Sequence, residues 1–140
     1  MRENRSMPSS TVIPVLVYPE VRQAVEWLSR VFGFTERLRI GDHRAQLTFG
    51  SGAVVVAGSA DSTEPNNSGL SVMVRVADVD AHFAHASAAG ANVIRPPASL
   101  PYGERQYTVT DLGGYAWTFS ESVDDIAPSA WGGELVGEAS

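Results

Sequence analysis

The chain is a small acidic one of 140 residues, with 44% hydrophobic and 19% charged residues, and it has the size and balance of one globular domain. Sixteen Asp and Glu against ten Lys and Arg give a formal net charge of −6, which argues against a nucleic-acid partner and weakly favours a cationic ligand. The absence of cysteine excludes disulfides, Cys-ligated metals and a thiol nucleophile, and no apolar run is long enough for a membrane span or signal peptide, so we expect a soluble cytoplasmic protein.

The first half of the chain predicts one βαβββ unit after a polar segment, residues 1–10, which we expect to be a disordered leader. The β-branched run 11–17 before Tyr18-Pro19 predicts a first strand, because the residue before a proline is pushed toward extended geometry. An apolar stripe at helical spacing, ended by a glycine, predicts a helix over 19–32. Three strands set off by glycine turns follow, at 35–40, 44–49 and 53–57.

The second half repeats this order after a turn-rich linker, residues 58–69. A strand at 70–76 precedes a helix that begins after Asp78 and ends at Gly90. The remaining strands are expected at 92–94, 105–110 and 116–120. Segment 13–20 matches 71–78, and segment 41–44 matches 102–105, which indicates an internal repeat.

The predicted organisation is therefore a single α+β domain over residues 11–123, built from two βαβββ modules. The first module spans 11–57 and the second spans 70–123. Residues 124–140 form a C-terminal tail, in which Trp131 is expected to pack back on the domain.

Three motifs of the second half, Tyr102-Gly103-Glu104-Arg105-Gln106-Tyr107, Asp111-Leu112-Gly113-Gly114-Tyr115 and Trp117-Thr118-Phe119, resemble a known closing hairpin. It is that of the glyoxalase, bleomycin resistance and dioxygenase superfamily, also called the vicinal oxygen chelate (VOC) superfamily, which usually has a proline where Leu112 stands. Segments 13–34 and 72–90 are similar to its strand–helix units. The resemblance covers about 11–121, and it implies a curved, cup-shaped mixed sheet and a homodimer.

In that superfamily the metal-dependent members place their ligands on four inward strand positions. By the resemblance these positions fall on Ile13, on Val55 or Val56, on Ser71 and on Thr118. None of these side chains is an imidazole, a carboxylate or a carboxamide, and two hydroxyls alone bind a divalent ion poorly. We therefore expect no metal and no cofactor, and the family metal positions that lack ligands are Ile13, Val56, Ser71 and Thr118.

The candidate ligand-binding residues are polar or flexible side chains on the predicted strands. Arg44 and Arg105 match each other in the repeat, and such a guanidinium pair suits a carboxylate or phosphate, although each Arg could instead pair with a neighbouring acid. The alternation over 104–110 has no clean apolar face, so it leaves open which of its side chains point inward. The full candidate set is His43, Arg44, Gln46, Met73, Glu104, Arg105 and Tyr107.

Other conspicuous residues are assigned structural roles. Trp117 is expected in the core if its neighbour Thr118 faces the cup, because successive side chains of a strand point to opposite faces. Trp27 is expected to serve packing or a dimer contact. His82 and His85 lie three residues apart on the second predicted helix, and a surface role is favoured for them over a metal clip.

The leading functional prediction is a metal-independent protein that binds a small organic molecule in the sheet cavity, in the manner of bleomycin resistance proteins, with antibiotic sequestration as its role. The alternative is a VOC-type lyase, isomerase or dioxygenase, with a displaced metal site or an acid/base pair drawn from His43, Glu104 and Tyr107. A third reading is an oligomeric or regulatory domain. A serine hydrolase elbow, a Walker loop and a dinucleotide fingerprint are absent from the sequence, and no catalytic residue is assigned.

Overall fold

A computed structural model of the protein describes residues 2–58 and 69–137, so nearly all of the predicted linker lies outside the described residues. Contacts divide the chain into two compact units. The first comprises residues 1–69 together with the short segment 111–115, and the second comprises 70–110 and 116–140. In the described residues, each unit contains one α-helix and one four-stranded mixed sheet, which confirms the predicted α+β class and the two βαβββ modules.

The strand order is the same in the two sheets. The first unit contains β1 (Val15–Tyr18), α1 (Val21–Trp27) continued by a π-helical turn (Leu28–Phe32), β2 (Thr35–Ile40), β3 (Arg44–Phe49) and β4 (Gly52–Gly58), in sheet order β1-β4-β3-β2. The second unit contains β5 (Ser71–Arg75), α2 (Val79–Ala88), β6 (Asn92–Ser99), β7 (Glu104–Thr110) and β8 (Ala116–Ser122), in order β5-β8-β7-β6, and a 3₁₀ helix (Pro128–Trp131). In each sheet the first strand pairs in parallel and the other pairs are antiparallel.

Register assigns the residues of the first sheet to two faces. Val56 pairs with Leu16 and Ala45, and all three are fully buried. They share a face with Gly58, where an added Cβ would lie 3.6 Å from Val21 of α1, so this face packs against the helix. Val55 is paired with Gln46 and therefore lies on the opposite, α1-distal face.

The second sheet packs its aromatic side chains against α2. The ring centroids of Phe83 on α2 and Tyr107 on β7 are 5.4 Å apart, and Phe119 on β8 stacks on Tyr107. Trp117 is fully buried beside Phe119, which confirms its predicted place in the core. Asp78 caps α2 as predicted, since its carboxylate accepts a hydrogen bond from the backbone N–H of Ala81.

The β6 strand is longer than the sequence predicts, because it continues to Ser99 through Pro96-Pro97. Prolines cannot donate to a strand ladder, which made a strand over these residues improbable from the sequence. β6 is the edge strand of its sheet, and its pairing with β7 shifts register on either side of Arg95. An edge position tolerates the two missing N–H groups, and the second register shift, between Arg95 and Ala98, spans the two prolines.

The N-terminal segment that we expected to be disordered makes defined contacts in the structure. Ser6 offers its carbonyl to the side chain of Gln46, at 2.9 Å, and Pro8 is buried. Further along, the Ser10 hydroxyl donates to the carbonyl of Ser51 in the β3–β4 turn. The polar composition of the segment indicated disorder. Main-chain carbonyls, however, can accept hydrogen bonds from side-chain donors whatever residue they belong to, so such contacts cannot be predicted from the sequence of the segment.

The turn between β7 and β8 belongs by its contacts to the first unit. Its Asp111 accepts a 2.6 Å hydrogen bond from the buried hydroxyl of Tyr18, at the end of β1. The hydroxyl of Tyr115 bonds to the backbone of Val17, both to its N–H and to its carbonyl. Burial and the adjacent Asp111 carboxylate raise the pKa of Tyr18 far above its ordinary value, so this phenol stays protonated and donates.

The C-terminal tail is in contact with the second unit. Trp131 of the 3₁₀ helix packs against Tyr102, with ring centroids 5.1 Å apart, while 45% of its surface stays exposed. The contact is the one expected for Trp131. Among the described residues, no helix is both long and apolar enough to span a membrane.

Candidate functional site

The structure decides which side chains of β7 are available to a ligand. Arg105 reaches α2, where its guanidinium donates to the carboxylate of Asp80 at 3.0–3.2 Å. Tyr107 lies 2.6 Å from Nδ1 of His82, also on α2, and is buried. Two of the seven candidates, Arg105 and Tyr107, therefore face the helix, and the α2-distal face of β7 presents Glu104, Gln106 and Thr108 instead.

The predicted equivalence of Arg44 and Arg105 is wrong. Arg44 pairs with Ala57 of β4, on the same α1-distal face as Gln46, whereas Arg105 pairs with Glu121 on the α2 side of its sheet. The two arginines occupy opposite faces because the segments matched in the sequence, 41–44 and 102–105, are offset by one residue from the structural equivalence of β3 and β7. A shift of one residue moves a side chain to the other face of its sheet, so the two arginines do not occupy equivalent positions.

A polar cluster lies on the α2-distal face of the second sheet. Thr108 and Thr118 join their hydroxyls across β7 and β8 at 3.1 Å, and Gln106 donates to the hydroxyl of Ser120 at 3.0 Å. Met73 on β5 pairs with Thr118 and is 66% exposed, so a flexible apolar side chain adjoins the polar groups. We call the set the polar face, and its members are Met73, Glu104, Gln106, Thr108, Thr118 and Ser120.

Glu104 is the acidic member of the polar face, and Arg75 and Arg95 lie on the same side of the sheet, paired with Ser120 and Thr108. Its two oxygens accept hydrogen bonds from the hydroxyls of Ser120, at 2.6 Å, and Ser122, at 2.5 Å. These two bonds, and more weakly the positive charge of Arg75, hold the pKa of the Glu104 carboxyl below its ordinary value. The Glu104 carboxylate is therefore ionised and oriented at neutral pH, while Arg75, which donates to Ser122 at 3.3 Å, adds a positive charge next to it.

The sequence-predicted candidates in the first unit do not form a similar cluster. Gln46 is buried, and its amide is engaged by Arg37 and by the carbonyl of Ser6. His43 lies in the turn before β3 with its side chain exposed, and its carbonyl accepts the N–H of Gly58. Arg44 is exposed on the α1-distal face. The structure thus brings Met73 and Glu104 to the polar face, and leaves these three in a separate unit.

The four positions carried over from metal-dependent relatives do not suit a divalent ion. Ile13 precedes the first residue of β1, Ser71 begins β5, and the hydroxyl of Thr118 is paired with Thr108. Val56 faces α1, so of the two alternatives on β4 only Val55 lies on the α1-distal face. Neither valine can ligate a metal, and within residues 2–58 and 69–137 no group of three His, Asp or Glu side chains could hold one.

Several residues of the sites described here were not predicted. Gln106, Thr108 and Ser120 were missed because the parity of β7 could not be read, and Arg37 because β2 has a bulge between Glu36 and Leu38. His82, expected at the surface, is half-buried and stacks on Phe119 with centroids 4.1 Å apart. The position of His82 beside the apolar stripe of α2 could have predicted that it is partly buried.

Comparison with known proteins agrees with this architecture. A family model described as the Glyoxalase/Bleomycin resistance protein/Dioxygenase superfamily matches residues 12–119. No curated protein matches the chain. Among solved structures, TioX from Micromonospora sp. ML1 is 38% identical, with a TM-score of 0.70 over 81% of this chain and 99% of that one.

Two more distant structures share the fold. A glyoxalase/bleomycin resistance protein/dioxygenase from Nocardioides is 20% identical, with a TM-score of 0.67 over 91% of this chain and 89% of its own. A family enzyme from Burkholderia phytofirmans PsJN is 18% identical, with a TM-score of 0.69 over 81% and 99%. With a family model that matches most of the chain, the protein belongs to the glyoxalase/bleomycin resistance protein/dioxygenase superfamily.

Proposed function

We propose that the protein binds a small organic molecule on the polar face of its second sheet, and that it does so without a divalent metal. The observation that carries the proposal is Glu104, a carboxylate held ionised and oriented by two hydroxyls. A fixed carboxylate can recognise a charged donor such as an ammonium or amidinium, and the Arg75 guanidinium, which donates to Ser122 beside it, reduces the negative charge that such a donor meets. The ligand is therefore a cationic organic molecule, in keeping with the net charge of −6.

The exposed Met73 side chain suits the rest of such a ligand. Its thioether is flexible and polarisable, and it can cover an apolar or aromatic part while the cation meets Glu104. Met73 pairs with Thr118, and Thr118 with Thr108, so apolar and polar groups follow each other across three strands. This alternation favours an amphipathic ligand over a simple ion.

Binding without metal follows from the donors that are present. The carried positions supply aliphatic groups and two hydroxyls, which are poor ligands for the divalent ions used by metal-dependent relatives. Sequestration of an antibiotic, a cytoplasmic location and a homodimer belong to the same proposal, in the manner of bleomycin resistance proteins. One form of the enzymatic alternative, an acid/base pair of Glu104 and Tyr107, is excluded, because the two side chains lie on opposite faces of β7 and cannot act on one substrate together.

The test combines metal analysis with a ligand screen on the purified chain. Elemental analysis is expected to give far less than one metal per chain, and nickel, zinc, manganese and iron(II) are expected to leave the melting temperature unchanged. A panel of cationic antibiotics and amines is then screened by thermal shift and calorimetry. A stoichiometric metal that stabilises the fold would refute the metal-independent proposal.

A matched pair of variants tests the role of Glu104. Glu104→Gln keeps the size of the side chain and removes its charge, and it is expected to weaken binding of a cationic ligand at least about tenfold. Glu134→Gln removes the same charge from an exposed position near the C-terminus and is expected to leave affinity unchanged. Equal effects of the two substitutions would mean that net charge alone, and not the polar face, attracts the ligand.

A further inference from the structure

Two side chains of the first sheet donate hydrogen bonds to successive main-chain carbonyls of the N-terminal segment. Arg37 on β2 donates through Nη2 to the carbonyl of Arg5, at 2.7 Å. Gln46 on β3 donates through Nε2 to the carbonyl of Ser6, at 2.9 Å. Both acceptors are main-chain oxygens of adjacent residues, so the two donors are spaced to engage a dipeptide unit.

The pair is organised independently of the segment that it holds. Nη1 of Arg37 donates to Oε1 of Gln46 at 2.6 Å. Because a guanidinium has only donors, this contact fixes the Gln46 amide with its oxygen toward Arg37 and its NH₂ group directed at the incoming carbonyl. Gln46 is 5% exposed with the segment in place, and the Ser6 carbonyl is one of the groups that cover it.

The hydrogen bonds from Arg37 and Gln46 go to main-chain carbonyls of the segment and not to its side chains. Within the segment, the side chain of Asn4 accepts from the N–H of Ser6, and its carbonyl accepts from the N–H of Met7, which forms a local turn. Residues 2–7 are exposed, and Pro8 is the first buried residue along the chain. A short exposed turn held at two carbonyls can be exchanged for another chain with the same carbonyl spacing.

We propose that Arg37 and Gln46 form a site for a peptide-type ligand with two successive amide carbonyls, and that the chain's own Arg5–Ser6 unit occupies this site as a tethered competitor. Both of its donors belong to the first sheet, whereas the polar face belongs to the second. A tethered segment acts at an effective concentration in the millimolar range, so a free peptide must exceed that level or bind more tightly to displace it. The segment thereby sets a threshold concentration below which a free peptide does not bind.

The experiment follows the side-chain amide resonances of Gln46 by NMR in the full chain. The probe is the acetylated, amidated tetrapeptide Arg-Ser-Met-Pro, which copies residues 5–8. At millimolar concentration it is expected to shift the Gln46 NH₂ resonances and to move the backbone amides of Ser6 and Met7 toward unstructured values. Absence of both changes at 10 mM, about the upper limit expected for a short tether, would overturn the competition.

Variants identify the donors. Arg37→Met and Gln46→Met are each expected to weaken the tetrapeptide at least tenfold, whereas Arg39→Met, on the same strand but bonded to Glu36, is expected to bind it like the parent chain. Deletion of residues 2–7 is expected to tighten binding at least tenfold, provided that circular dichroism shows an intact fold. If that variant unfolds, the proposal is tested by the titrations of the full chain and of the three substituted chains. Equal binding by all three substituted chains would overturn the assignment of the donors.

Discussion

Replacement of Tyr18 by Phe isolates one hydroxyl at the contact between β1 and the β7–β8 turn. Tyr18 is 1% exposed, and its hydroxyl donates to Oδ2 of Asp111 at 2.6 Å. The ring lies edge-on to Tyr115, with centroids 5.4 Å apart, and this packing is retained by Phe. The substitution therefore removes a hydrogen bond and leaves a buried carboxylate oxygen without that donor.

The expected loss follows from the charge of the acceptor. A hydrogen bond to a charged group contributes about 1.5–3 kcal/mol. The carboxylate keeps the backbone N–H groups of Gly113 and Tyr115 on its other oxygen, at 2.8 and 3.0 Å, so we expect about 2 kcal/mol, near the lower end. An unfolding entropy of roughly 2.1 cal/mol/K per residue gives about 0.3 kcal/mol/K for the whole chain, so the melting temperature falls by about 7 °C.

The free energy of unfolding is measured by urea titration, and the melting temperature by calorimetry. Tyr102→Phe is the control, because it removes a hydroxyl from a tyrosine that is 36% exposed and is expected to change stability by less than about 0.5 kcal/mol. A Tyr18→Phe chain as stable as the control would refute the reasoning, since the 2.6 Å bond would then contribute no net free energy.

Three further predictions concern other contacts. Gly113→Ala places a Cβ 2.9 Å from ring atoms of Tyr18, so we expect about 1–3 kcal/mol lower stability in urea, and an unchanged midpoint would contradict that close approach. Hydrogen bonds from two serines lower the folded-state pKa of Glu104, so its contribution to stability is present above the ordinary carboxyl pKa of 4.5 and is lost as the pH falls through the lowered pKa. Glu104→Gln should therefore reduce the loss of stability between neutral and acid pH. An unaltered dependence of stability on pH would count against this reasoning. The Arg22–Glu36 ion pair, 2.6 Å long and partly exposed, should contribute less than about 1 kcal/mol, so Arg22→Gln, which leaves the Glu36–Arg39 pair in place, should have a small effect that shrinks further in 1 M salt.

The sequence was a good guide to the elements and a poor one to the faces of the strands. Strands β2 and β3 have the predicted bounds because glycine turns delimit them, and the internal repeat correctly predicted two βαβββ modules. Side-chain direction on β7 could not be read, since aromatic and polar residues alternate there without an apolar face. Because side chains alternate with a period of two residues, an offset of one residue reverses the face, which is why Arg105 was matched to Arg44 although the two occupy different faces of their sheets.

The candidate site was predictable in part. Met73 and Glu104 were named from residue type and position, and both belong to the polar face. Their partners Gln106 and Ser120 depend on cross-strand register, which local sequence does not encode. The engagement of Gln46 by the N-terminal segment was equally out of reach, because it joins residues 40 positions apart through a main-chain carbonyl. Metal independence, ligand identity and dimer formation stay predictions.

The bond between Tyr18 and Asp111 also bears on how the chain reaches its native state. It joins residues 93 positions apart, so the first unit is complete only after most of the polypeptide has been ordered. The entropy cost of closing so long a loop comes before the contact can contribute any stabilisation, and contacts of this kind slow folding. The β7–β8 turn is therefore expected to dock after the folding transition state, and weakening it would act mainly by speeding up unfolding while the folding rate changes little.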